Sequence, residues 1–380
     1  MGEIDVVSEL GQTSGRRPPP GVDRPAAMAS LLLHCREGFE GECAAEIQRL
    51  AGERGMAGYC VAPARSARVE FRPGEPWAAH RLHATLDFHH LIFARQWFVL
   101  LEHCEGLGAT DRATPLARSL DEAPGPLEAL FLEHPDTNEG KRLSRLCRSL
   151  AGPVRRALAQ RRPMAAGSGL RGHLCLLSGD SALAGYARSA NSAPWPMGIP
   201  RLRLARQAPS RSALKLEEAL LRFLTAEQRD RALAPGGTAV DLGAAPGGWT
   251  WQLVRRHLRV IAVDNGPLDP ALMDSGLVEH RRESGFLYRP PRPVDWMVCD
   301  MAEQPIRVAA LATAWVRDGW CTRTVFNLKL PMKKRYDQVQ RCLDLAAATL
   351  ADAGIAYRLA CKHLYHDREE VTVYLARAVD

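Results

Sequence analysis

Between residues 201 and 380, short apolar runs alternate with long stretches of helical pattern, and few folds satisfy that alternation. The runs cover 238–242, 260–264, 296–300, 324–328 and 371–375, and helical spacing covers about 212–224, 303–317 and 333–353. A continuous apolar run fits a strand covered on both faces. A helix of ten or more residues between two such strands returns the chain in the parallel sense. The expected fold class is therefore α/β, with a Rossmann-like, doubly wound, mostly parallel sheet over residues 201–380.

The first of these strands ends in Asp241-Leu242-Gly243 and runs into Ala244-Ala245-Pro246-Gly247-Gly248-Trp249. Glycines let the backbone turn sharply and approach a ligand closely, and a helix starting near Gly248 adds oriented amides. Asp264 closes the next strand, about twenty residues on, where an acid typically holds ribose hydroxyls. A nicotinamide site and an S-adenosylmethionine site share this pattern. Here the loop lacks G-x-G-x-x-G spacing and contains Pro246, which argues against a dinucleotide pyrophosphate and for S-adenosylmethionine.

Four charged residues fall at edges of the same sheet. Lys215 sits in an apolar stretch of helix, Asp300 ends a strand, Lys329 comes late in another, and Glu370 precedes the last. Any one of them alone would be an ordinary surface charge. Four of mixed sign near the carboxyl ends of strands, where open α/β sheets bind ligands, point to a site. They suit methyl transfer to a ribose 2′-hydroxyl, an in-line displacement in which a very weakly acidic hydroxyl must lose its proton. A lysine can take that proton only when neutral, which requires burial or a neighbouring cation. Lys215 is expected to be that cation for Lys329, with Asp300 and Glu370 orienting the ammonium groups and the hydroxyl. General-base help contributes about 10²–10⁴-fold, and positioning roughly 7–11 kcal/mol at best. Adjacent strand residues point to opposite faces, so only one of Glu369 and Glu370 is expected in the site.

The N-terminal half is patterned differently. Residues 1–27 are rich in Gly, Pro, Arg and Ser and are expected to form a disordered tail, with Met28 an equally good start. Residues 28–75 read as a small α+β unit: strands near 31–35 and 69–71 around a helix carrying Phe39, Cys43, Ile47 and Leu50. Residues 76–200 form a second unit, with a strand-like run at 91–100 and a helical stretch at about 138–160 broken at Gly152-Pro153. Lys141, Arg145 and Arg148 share one face of that stretch, which is either a solvated surface or a phosphate contact. Residues 191–200, dense in Pro and Gly, read as a hinge or linker.

A formal charge of +7 suits a polyanionic partner. The ten cysteines are scattered singly without zinc spacing, so neither a structural metal nor disulfides are expected and a cytoplasmic address follows. No apolar run reaches membrane-spanning length, and the N-terminus has no signal-peptide core.

The loop 241–250 resembles the cofactor loop of the RrmJ/FtsJ-type ribose 2′-O-methyltransferases, which use a Lys-Asp-Lys-Glu tetrad. Lys215, Asp300, Lys329 (in Asn327-Leu328-Lys329-Leu330-Pro331) and Glu370 match its four positions in order. Over about 29–378, and most specifically at 92–98, 197–202, 326–336 and 364–373, the chain resembles the bacterial branch that methylates a cytidine ribose of 23S rRNA. The resemblance implies a ferredoxin-like unit and an RNA-binding THUMP domain ahead of an S-adenosylmethionine-dependent methyltransferase domain. It implies cofactor contacts at Ser212, Ala245, Pro246, Gly247, Gly248, Asp264 and Asp300. The 23S rRNA substrate would be a precursor or a partly assembled large subunit, and the enzyme a monomer. The branch carries an acid where this chain has Ser284, so either Ser284 makes a weaker contact or Glu283 substitutes. A nicotinamide-dependent oxidoreductase would not explain the lysine pair. A non-catalytic RNA-binding protein would not need the tetrad.

Overall fold

The computed structural model describes residues 29–75 and 77–378, so the expected tail over 1–27 and the alternative start at Met28 lie outside the described residues. The strands form two seven-stranded sheets. The first contains β1 (Ser30–His34), β2 (Gly58–Val61), β3 (Arg68–Pro73), β4 (Gln96–Cys104), β5 (Ala129–Glu133), β6 (Leu170–Leu176) and β7 (Ala182–Arg188). Its order is β2-β3-β1-β4-β7-β6-β5, antiparallel except for the β5–β6 pair. The two N-terminal units thus share one sheet, joined where Leu32 of β1 registers against Phe98 of β4. Leu31 and Leu33 face one core and Leu32 the other, the period-2 signature of a strand covered on both sides.

The second sheet contains β8 (Thr238–Leu242), β9 (Arg259–Val263), β10 (Val278–Arg281), β11 (Val294–Cys299), β12 (Cys321–Lys329), β13 (Tyr357–Lys362) and β14 (Glu370–Arg377). Its order is β10-β9-β8-β11-β12-β14-β13. The pairs from β10 through β12 are parallel, and β14 runs antiparallel to both neighbours. This is the mostly parallel, doubly wound sheet expected from the alternation of strands and helices. The chain winds outward from β8 through β9 and β10, then returns to β8's other side with β11. Such a reversal opens a crevice beyond the carboxyl ends of β8 and β11.

Two local expectations fail. Pro153 lies inside an unbroken helix, Ser144–Arg161. Pro153 takes the amide partner from the carbonyl of Ser149, which lies on the exposed face where water can replace it. The break comes earlier, at Leu143, whose amide bonds to the Gly140 carbonyl three residues back at 2.8 Å, after a short helix, Asn138–Arg142, capped by Thr137. Lys141 therefore belongs to a different helix from Arg145 and Arg148.

Residues 191–200 are not a hinge. Ala193, Met197 and Ile199 are buried. Gln96 Nε2 donates to the carbonyls of Ala193 (2.8 Å) and Trp195 (3.2 Å), and Trp97 Nε1 to that of Asn191 (2.6 Å). Gly198 has φ +67°, and a Cβ there would overlap the Arg95 carbonyl. Its Pro and Gly residues fix a packed segment whose regular structure is a short 3-10 turn, Pro196–Gly198, after the one that ends at Asn191.

Candidate active site

The Gly-rich turn is shaped by what surrounds it. Gly243 has φ +78°, and a Cβ there would approach Met301 Cγ at 2.6 Å. At Gly248 a Cβ would overlap the hydroxyls of Ser210 and Ser212. The missing side chain lets helix Gly248–Val254 lie against the start of helix Ala213–Phe223. Trp249 Nε1 then donates to the Ser212 carbonyl (3.0 Å) and Gln252 Nε2 to that of Ala213 (2.9 Å). These bonds fix the turn that carries Ser212 and Lys215.

Asp264, just beyond β9, accepts the amide of Ala245 at 3.0 Å and that of Gly266 at 2.7 Å. It braces the glycine turn, and each carboxylate oxygen retains a lone pair for a ligand. Gly243, Ala245, Asp264, Glu283, Ser284 and Asp300 line a cavity of about 410 Å³ beside it. Pro246, Gly247 and Gly248 form the turn and do not line that cavity, while Ser212 lines a neighbouring cleft. Glu283 and Ser284 both reach the cavity, and the Ser284 hydroxyl accepts the Phe286 amide at 3.3 Å. The residues present fit an adenosyl cofactor: a close-approach turn, a carboxylate at the end of the adjacent strand and a polar pocket at the sheet's switch point.

Asp241, within the turn motif, is buried. Its Oδ2 accepts from Thr250 Oγ1 at 2.6 Å, and its Oδ1 has no hydrogen-bond partner among the described residues. Burial, aided by the nearby Asp300 charge, pushes its carboxyl up to about 7.

The structure brings Lys215, Asp300, Lys329 and Glu370 into one cluster. Asp300 follows β11, Lys329 ends β12, and Glu370 begins β14, which runs antiparallel and so starts at the edge where β12 finishes. Lys329 and Glu370 are registered opposite each other and ion-paired. Lys329 Nζ is 2.5 Å from Asp300 Oδ1. Lys215 Nζ is 3.3 Å from Asp300 Oδ2 and 2.5 Å from Glu370 Oε1. Glu369 points the other way and pairs with Arg335 at 3.0 Å, so of the two adjacent acids Glu370 is the one in the cluster.

The electrostatics differ from the sequence expectation in one respect. Burial pulls the pKa of Lys329 down, but Asp300 and Glu370 outweigh it and hold the group above the usual lysine value. The lowering expected from Lys215 does not prevail, because Asp300 and Glu370 lie against both ammonium groups.

A second cleft, about 840 Å³, opens on the other side of Lys215 and Glu370. Arg36, Arg65 and Lys141 from the N-terminal half and Arg211 and Arg368 from the catalytic half line it. Five cations besides Lys215 around one groove, with Glu37 and Asp136 pairing Arg65 and Lys141, suit a phosphate backbone. Sequence reading singled out only Lys141, because the other four are isolated in sequence and meet only in the fold. It also missed Asn327, whose Nδ2 donates to Asp300 Oδ1 at 2.9 Å. The signal available was its position two residues before Lys329, on the same strand face. Among the described residues, no group of three or more His, Cys, Asp or Glu side chains could hold a metal ion, and no helix is long and apolar enough to cross a membrane.

Comparison with known proteins gives the family. Residues 28–98 match the RlmM ferredoxin-like domain model, 111–188 the ribosomal RNA large subunit methyltransferase M N-terminal model, and 208–310 the FtsJ-like methyltransferase model. Ribosomal RNA large subunit methyltransferase M of Stutzerimonas stutzeri is 53% identical over 351 residues, covering 92% of this chain and 100% of the relative. The chain belongs to the ribosomal RNA large subunit methyltransferase M family. Its Azotobacter vinelandii member is 51% identical, covering 92% of this chain and 99% of the relative. As a family member the chain is a methyltransferase with an FtsJ-like catalytic fold. TrmN from Thermus thermophilus, a solved structure, is 16% identical with a TM-score of 0.34 over 92% of this chain and 99% of that one, too distant to inform the site.

Proposed function

We propose that this enzyme uses S-adenosylmethionine to methylate the 2′-hydroxyl of a cytidine in 23S rRNA, with Lys329 as general base in a Lys215–Asp300–Lys329–Glu370 tetrad. The observation that carries this reading is the convergence of two lysines on two shared carboxylates, between the cavity at Asp264 and the cationic cleft. The expected cofactor set, Ser212, Ala245, Pro246, Gly247, Gly248, Asp264, Ser284 and Asp300, lies in or next to that cavity.

S-Adenosylmethionine, when bound, supplies the electrophilic methyl group. Asp264 is placed to hold ribose hydroxyls of the cofactor while bracing the Ala245 amide. Arg36, Arg65, Arg211 and Arg368 hold RNA phosphates, with Lys141 at the rim. Lys329 Nζ, in its neutral form, would take the proton of the 2′-hydroxyl, and the oxygen would then be free to accept the methyl group as its bond to the cofactor sulfur breaks. Lys215 and Asp300 fix the geometry of Lys329, and Glu370 orients the hydroxyl and both lysines. The N-terminal half, read as a ferredoxin-like unit (28–75) followed by a THUMP domain (76–200), presents the rRNA to the site. A cytoplasmic monomer acting on precursor or partly assembled rRNA is consistent with this reading.

Lys329→Ala tests it. Methyl transfer to 23S rRNA should fall at least about a hundredfold, while calorimetric titration with S-adenosylmethionine stays nearly unchanged. Retained turnover would remove Lys329 as the base, and tight NAD binding without S-adenosylmethionine binding would overturn the cofactor assignment.

A further inference from the structure

Behind the tetrad lies a second rung of the same cross-strand ladder. Lys329 registers opposite Glu370, and Asn327 opposite Thr372, so both pairs share one face of the sheet. Asn327, Thr372 and Asp367 are fully buried. Asn327 Nδ2 donates to Asp300 Oδ1 at 2.9 Å, and Asn327 Oδ1 is 2.8 Å from Thr372 Oγ1. Thr372 Oγ1 is also 3.1 Å and 3.0 Å from the two carboxylate oxygens of Asp367.

Counting protons leaves one arrangement. Asp300 already accepts from Lys215 and Lys329, so the Asn327 amide must turn its NH₂ toward it. Asn327 Oδ1 then faces Thr372 and needs a donor, and Thr372 has a single hydroxyl hydrogen to give. With that hydrogen committed to Asn327, Thr372 Oγ1 can only accept from Asp367. Asp367 Oδ2 accepts the Leu364 amide at 2.9 Å, which leaves Oδ1 to carry a proton. Thr372 is the one hydrogen-bond partner of Asp367 Oδ1 among the described residues.

We infer that Asp367 is a neutral carboxylic acid heading a buried relay, Asp367 to Thr372 to Asn327 to Asp300, that holds Asp300 in position for Lys215 and Lys329. Burial, reinforced by the Glu370 charge, raises the Asp367 carboxyl well above the usual aspartate range, in the direction the relay requires. An ionised Asp367 would draw the Thr372 hydrogen to itself and leave two acceptor oxygens facing each other at 2.8 Å. Arg36 of the cationic cleft donates to the Asp367 backbone carbonyl at 2.8 Å, which links the cleft wall to the head of the relay. Asn327 and Thr372 line neither cavity of the site, and Asp367 borders only the cationic cleft, so all three act through Asp300 as positioning residues.

The inference rests on the tetrad reading above, and five variants separate the two. Thr372→Val keeps the shape and removes the hydrogen bonds. It should lower kcat about tenfold without changing the KM for S-adenosylmethionine, and Thr372→Ser should restore kcat. Asp367→Asn supplies an N–H to Thr372 and an oxygen to the Leu364 amide, so it should keep kcat within about threefold, whereas Asp367→Leu should lose about tenfold. Loss in Asp367→Asn equal to that in Asp367→Leu, or full kcat in Thr372→Val, overturns the relay. If Asp300→Ala is inactive while Thr372→Val runs at full rate, the relay alone fails. Full rate in Asp300→Ala overturns the tetrad and the relay together. Independently of turnover and on wild-type protein, infrared spectra at neutral pH should show a protonated-carboxyl stretch that Asp367→Asn removes. Its absence from the wild type overturns the proton assignment.

Discussion

Lys329 poses a problem at the scale of a single residue. A base must be neutral, yet Asp300 and Glu370 hold this ammonium above its usual value. The reactive form is therefore a minor species at neutral pH, and the rate should follow its population. Single-turnover methylation should rise about tenfold per pH unit through the neutral and mildly alkaline range, measured on rRNA with saturating cofactor. A flat profile there would show that Lys329 is not a cation waiting to lose its proton. The charged members of this site were legible in sequence because a Lys or Glu beside an apolar strand stands out. Asn327, Thr372 and Asp367 were not. A buried polar side chain gains its meaning from the residue registered across from it, and that register is set by the antiparallel β12–β14 pairing. Ser284 shows the opposite limit: the departure was visible, and the structure leaves both it and Glu283 at the cavity.

At the scale of elements, the five inner strands of the catalytic sheet were readable because buried strands are nearly continuous apolar runs, whereas the edge strands β10 and β13 were not. The N-terminal sheet was not. β2, β5, β6 and β7 went unread: Gly172 and His173 interrupt the apolar pattern of β6, and Gly185 that of β7, where a Cβ would overlap the Val99 carbonyl of β4. Strand partners at long sequence separation demanded those small residues. Residues 191–200 were misread because Pro and Gly density signals irregular backbone, not mobility. The contact between helices Gly248–Val254 and Ala213–Phe223 gives an element-scale prediction. Gly248→Ala places a methyl group against Ser210 and Ser212, so it should cost about 1–3 kcal/mol of stability and weaken S-adenosylmethionine binding as the Ser212–Lys215 turn is displaced. Thermal unfolding and calorimetry check this, and wild-type affinity would mean the turn does not form part of the pocket.

The whole molecule is held together across its two halves by backbone carbonyls met by buried cations. Lys362 Nζ, on β13, donates to the carbonyls of Phe88 (3.0 Å), Leu91 and Ala94 (3.2 Å). Arg95 Nη2 reaches the Leu364 carbonyl at 3.1 Å, and the His363 amide bonds to the Ile92 carbonyl at 2.8 Å. This seam fixes the N-terminal half against the catalytic sheet and makes the cationic cleft a shared wall. Lys141 lines that cleft, while Arg145 and Arg148 are exposed on the following helix. Replacing all three with Gln should weaken rRNA binding and lower the slope of log affinity against log salt by about two. An unchanged slope would show a solvated face. The most direct test of the proposed reaction is a map of 2′-O-methylation on 23S rRNA from cells lacking this protein, complemented with wild type or with Lys329→Ala. One cytidine should lose its 2′-O-methyl group, regain it with the wild type and stay unmethylated with the variant. An unchanged map, a methyl group lost from a base, or rescue by Lys329→Ala would contradict ribose methylation by this tetrad.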